Sequence, residues 1–104
     1  AILAVGAHCS GAEWWVFVAS RDALEVFHLG GLTAASHPRR AARLTATLCG
    51  VQEICPLDLR LVLVLRRGAL RLCEVSGEGE GGSLVEASEI FPGRRITFFQ
   101  VLEH

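Results

Sequence analysis

The 104-residue chain has no lysine, methionine, tyrosine or asparagine, so arginine supplies all ten of its Lys/Arg cations. That bias is the mark of a GC-rich coding sequence and carries no chemistry of its own. Long apolar runs are missing as well. The longest is the six residues Trp14 to Ala19, whereas a bilayer span needs about 18 residues, so no transmembrane helix is expected. No basic segment leads into a long apolar one, so no signal peptide is expected either. The four cysteines, Cys9, Cys49, Cys55 and Cys73, include no Cys-x-x-Cys pair, which leaves no spacing for a zinc site. They fall in apolar, strand-like stretches and are expected as reduced, buried thiols acting as small hydrophobes. Such thiols fit an intracellular setting, nuclear or cytoplasmic. Excess charge is also lacking: the formal net charge is −1, so no bulk attraction to nucleic acid or to an anionic membrane is expected. The ending Leu102-Glu103-His104 has the look of a purification-tag junction, a native ending being the alternative.

What the chain does have is apolar content, 51% of its residues, enough for the core of one small domain. It also has a repeat. "WWVFVASRDALEVFHL" (Trp14 to Leu29) returns as "RLVLVLRRGALRLCEV" (Arg60 to Val75) at an offset of 46. Val16 matches Val62, Val18 matches Val64, Arg21 matches Arg67, Ala23 matches Ala69 and Leu24 matches Leu70. Apolar residues meet at Phe17/Leu63, Ala19/Leu65, Val26/Leu72, Phe27/Cys73 and Leu29/Val75. Each copy reads as strand, turn, strand: Trp14–Ser20 and Ala23–Leu29 around Arg21-Asp22, then Leu59–Leu65 and Ala69–Val75 around Arg66–Gly68.

The flanks extend the copies. Ile2–His8 precedes the first hairpin and Val51–Asp58 the second. Ala42–Leu48 and Ser83–Phe91 follow them as further strands. The expected organisation is therefore one all-β unit of two four-stranded, propeller-like blades, at about 2–48 and 51–91, with Arg95–Val101 starting a third. Four-stranded units repeating every 40–45 residues or so are the pattern of propeller blades. One segment supports an alternative. In "SHPRRAARLTATLCG", Ser36 as N-cap, Pro38 in the first turn and Gly50 past the end would suit a helix. A helix at about 38–48 would make the chain a small α+β domain.

In this organisation the sequence resembles the WD-repeat propellers. "VASRDALEVFHL" carries Ser20-x-Asp22 at the turn and places Phe27-His28 where that family has Trp-Asp; "RGALRLCEV" has Cys73-Glu74 there and no Ser-x-Asp. The resemblance implies that Ser20, Asp22 and Phe27 are remnants of a hydrogen-bonded motif that stiffens each blade. Among degenerate members, "VFVASRDALEVFH", "GVQEICPLDLRLVLVL", "SGEGEGGS" and "LVEASEIFPGRRITFFQV" are similar to the C-terminal propeller of a nuclear scaffold of recombinational DNA repair. That similarity implies about two of seven blades and a groove for a partner's peptide, with no groove residue transferable by number.

Candidate chemistry is sparse. Glu78 and Glu80 in "GEGEGG" sit on a Gly-rich tip that gives carboxylates neither burial nor fixed separation. Arg39, Arg40 and Arg43 read as a solvated basic loop without stacking aromatics. His8, His28 and His37 lack partners at metal-ligand spacing. No cofactor and no metal is expected. The residues expected to meet a partner are Trp14, Arg21, Arg66 and Arg67, because indoles and arginines are enriched at interfaces. The expected function is a non-enzymatic protein–protein interaction scaffold, part of a WD-repeat-like platform. Its partners are other proteins or peptides, and further blades or subunits must cover its sheet faces. The alternative is a compact α+β adaptor, longin- or pleckstrin-like, in a trafficking or signalling complex.

Overall fold

A computed structural model of the chain describes residues 1–30, 37–77 and 79–102. Ser36, Glu78, Glu103 and His104, each with an expectation above, lie outside the described residues. Among the described residues the chain is all-β. It has eight strands: β1 (Ala4–Ser10), β2 (Glu13–Ala19), β3 (Ala23–Gly30), β4 (Arg39–Thr45), β5 (Val51–Pro56), β6 (Leu61–Arg66), β7 (Ala69–Ser76) and β8 (Ser83–Ile90). Among the described residues the only helical turn is a 3₁₀ turn at Gly79–Gly81.

The strands form two antiparallel meanders, β1–β4 and β5–β8, merged into one sheet of order β1-β2-β3-β4-β8-β7-β6-β5. The merger is a parallel contact made by the pair Thr45/Ser83. At the opposite side β1 comes against β5, and the sheet is nearly closed into a barrel-like shape. The approach is tight enough that a Cβ on Gly6 would lie 2.8 Å from the Ile54 carbonyl oxygen. The β6–β7 hairpin turns on Arg67 and Gly68, with φ of 51° and 81°, the positive pair that a two-residue type I′ turn requires.

The 46-residue register of the sequence is also a register of the structure. The β3–β4 ladder shifts between Val26 and Phe27, and the β7–β8 ladder between Leu72 and Cys73, the matching pair. More telling is the orientation of equivalent side chains. Alternation sends Phe17, Leu24 and Val26 of the first meander into one core with Val62, Val64 and Cys73 of the second. The partners of the first set, Leu63, Leu70 and Leu72, lie on the far face of the second meander, beneath Ile96 and Phe99. The partners of the second set, Val16, Val18 and Phe27, are only half-buried. They alternate with the core-facing residues and so lie on the far face of the first meander, where Val5, paired with Val18, is 55% exposed. A two-fold arrangement would put equivalent residues face to face. Here residues 46 apart point to opposite faces of their meanders, one to the shared core and the other away from it.

Three expectations change. No helix forms at 38–48: Arg39–Thr45 is β4, laid against β3 from Ala23/Thr45 to His28/Arg39. The reason is a period of two, with Leu44, Ala46 and Leu48 buried while Arg43, Thr45 and Thr47 face water. The α+β alternative goes with the helix, and Arg39, Arg40 and Arg43 stand on a strand rather than a loop. Residues 95–101 form no strand but lie as a strap over the second meander, with Ile96 N–H donating to the Gly68 carbonyl (2.7 Å) and Phe99 N–H to Glu53 Oε2 (3.3 Å). Of the four cysteines only Cys73 is buried; Cys49 and Cys55 are half-buried and Cys9 is exposed.

Candidate interaction surface

The turns between β2 and β3, between β6 and β7, and after β8 all fall at one end of the sheet, because the antiparallel ladders return there. This places Arg21, Arg66 and Arg67 at one rim, where the Arg21 carbonyl accepts the Leu48 N–H (2.9 Å) and Arg66 Nε donates to the next residue's carbonyl, that of Cys49. Trp14 is not among them. It is the second residue of β2, at the other end, half-buried opposite Cys9 and Leu29, and lines a cleft of about 510 Å³ with Cys9, Cys55, Pro56, Leu57 and Val101.

At the arginine rim, Arg66 Nε donates to the Cys49 carbonyl at 2.7 Å, which fixes the side chain along the turn. The Gly68 N–H donates to Gln52 Oε1 at 3.1 Å. Arg95 lies over Gly68, where a Cβ would be 3.0 Å from Arg95 Cγ. Arg67 and Arg95 flank a cleft of about 370 Å³, with Gln52, Ile96 and Thr97 in its walls. A turn closed by Arg94 N–H to the Phe91 carbonyl (3.2 Å) adds Arg94 and an exposed Phe91. Arg94, Arg95, Gln52 and Thr97 were missed by sequence reasoning. The signal was "PGRR", a turn dipeptide followed by two cations, overlooked because 95–101 read as a strand.

The three motif residues are dispersed. Ser20 Oγ donates to the Ala23 carbonyl (3.2 Å) and holds the β2–β3 turn. Asp22 accepts the Ala46 N–H through its backbone carbonyl (3.1 Å), its side chain being exposed. Phe27 lies opposite Val16. His8 and His28 instead bracket Trp15, with ring centroids 6.2 and 5.0 Å from it. His28 Nε2 is 3.3 Å from Glu13 Oε1.

Among the described residues, two arginines are held in ion pairs. Arg40 lies between Glu25 and Glu80, each 3.1 Å away, and its pKa is raised by the Glu25 hydrogen bond first and the Glu80 charge second. Arg71 is held by Glu86 at 2.6 Å, which raises its pKa likewise. Glu80 is thus an ion-pair partner. Among the described residues, no ion pair involves Arg21, Arg66, Arg67, Arg94 or Arg95. Burial pushes the Cys73 thiol up to about 11. No group of three or more His, Cys, Asp or Glu side chains gathers as metal ligands would, among the described residues. No family model matches the chain, and no curated protein or solved structure matches it.

Proposed function

We propose that the chain is a non-enzymatic scaffold: two blade-like units of a WD-repeat-like platform whose turn rim receives other proteins. The observation that supports this reading is that residues 46 apart face opposite sides of their meanders, as they would in units stacked head to tail. A closed, self-sufficient barrel has no need to offer one face inward from its first half and the opposite face from its second. A stack of repeats does, because each unit then presents the same surface to the next. Ile96 and Phe99 support the same reading, covering the second meander's far face as Val51 and Ile54, 45 residues earlier, cover the first meander's inner one. The far face of the first meander, with Val5, Val16, Val18 and Phe27, is then the seat of another unit of the same kind. The similarity in sequence to a propeller of recombinational DNA repair extends the proposal to a nuclear assembly.

The test is the oligomeric state. Light scattering behind size exclusion should find the chain associating with rising concentration, and Val16→Asp with Phe27→Asp should return a folded monomer. A wild-type chain that stays monomeric at high concentration and melts cooperatively would overturn the stack in favour of a self-sufficient barrel.

A further inference from the structure

We propose that the arginine rim is a binding site for an acidic protein segment, whose carboxylates are held between Arg67 and Arg95. The proposal rests on the platform reading and names the partner chemistry of its turn rim. Four observations carry it. The first is composition by place: the turns at this end carry Arg21, Arg66, Arg67, Arg94 and Arg95 against one acid, Asp22, although the whole chain is at −1. The second is availability. Among the described residues no ion pair uses the rim's guanidiniums; Arg39, Arg43 and Arg60 are also without one, and what sets the rim apart is that its unpaired guanidiniums are gathered at one set of turns. Guanidiniums repel one another, and an incoming carboxylate relieves that repulsion through bidentate hydrogen bonds.

The third observation is shape. Arg67 and Arg95 stand on either side of one cleft, about 370 Å³, large enough for an acidic side chain, with Gln52 and Thr97 as uncharged polar groups in its walls. The fourth is backbone strain. Among the described residues, the two non-glycine residues with positive φ are Arg67 at 51° and Phe91 at 55°, and both belong to this rim. An arginine occupies the turn position that asparagine would fill more comfortably, and a phenylalanine is held 61% exposed in a left-handed turn. Strain of this kind collects at sites that use it. Phe91 provides an apolar anchor beside the cations.

A protein segment suits the rim better than a nucleic acid. Nucleic-acid affinity comes from many phosphates along an electropositive track, whereas these cations are confined to one set of turns with glutamates on the strands below.

The experiment is fluorescence anisotropy with a labelled hexaglutamate peptide at low salt, with labelled hexathymidylate as the second probe. Saturable hexaglutamate binding is expected, weakened about tenfold by Arg67→Gln with Arg95→Gln and less than twofold by Arg39→Gln with Arg43→Gln. Arg67→Asn keeps a residue suited to the turn while removing the cation, so weaker binding by that variant reflects the lost charge rather than a lost fold. Equal weakening by the two pairs, undiminished binding by Arg67→Asn, or tighter binding of the oligonucleotide would each overturn the proposal. The same titration on the Val16→Asp, Phe27→Asp chain reads the rim alone, so failure of the stack and failure of the rim give different results.

Discussion

Arg67 and Gly6 show how single positions set the local backbone. With φ of 51° at Arg67, the β6–β7 turn holds a side chain in a region that costs a non-glycine residue about 1–2 kcal/mol. Asparagine tolerates that region, so Arg67→Asn should raise stability by about 0.5–1 kcal/mol, seen as a higher melting temperature. An unchanged or lowered value would mean that the Arg67 side chain contributes more to the fold than its exposure suggests. At Gly6 the constraint is space. A Cβ there would lie 2.8 Å from both the Ile54 carbonyl oxygen and Pro56 Cδ, neither of which is the end of a flexible side chain. Gly6→Ala should therefore cost about 1–3 kcal/mol by urea denaturation. Gly30→Ala, with its nearest atom 3.9 Å away, should be nearly neutral. Neither effect was legible in the sequence, because both depend on which strand lies opposite.

At the scale of elements, the hairpins were legible because two signals agreed: apolar runs rich in valine and leucine, and turn residues between them at a fixed spacing. The strand β4 was harder. Helix-like ends and three alanines competed with the alternation in "ARLTATL", and the alternation won because β3 was there to receive it. Leu44 is the residue that commits the segment. It is 1% exposed in the shared core, and its Cδ2 would be 2.6 Å from a Cβ on Gly82. Leu44→Ala should cost about 2–5 kcal/mol in chemical denaturation, whereas Arg43→Ala, exposed one position away, should change little. If the two substitutions cost the same, β4 is not seated in the core as described. The strap at 95–101 was misread for a related reason. "RITFFQV" has strand composition, but its backbone partners are the β6–β7 turn and the Glu53 side chain, which no pattern in the segment announces. The rim cleft was half legible. Arg66 and Arg67 stood out at a turn, while Arg95 reaches them only through that strap.

For the whole molecule, the absence of lysine and tyrosine has a thermodynamic consequence. Those residues ordinarily titrate near pH 10, so here neither masks the titration of the buried Cys73. Cys73 lies in the core between the meanders, and burial raises its thiol pKa from 9.0 to about 11. The folded chain therefore keeps this proton to higher pH than the unfolded chain does. Above pH 9 the unfolded state binds fewer protons than the native state, so stability must fall as pH rises. The contribution is fully present below pH 9 and lost as pH passes through 11. Urea denaturation repeated from pH 8 to 11 should show this decline, and Cys73→Ala should lower stability at pH 8 yet flatten the curve. An equally steep decline in Cys73→Ala would mean that the effect does not come from Cys73 and that the core between the meanders is wetter than its packing implies. Because that core joins residues of both meanders, the flattening would place a buried thiol at the contact between the two halves of the sheet.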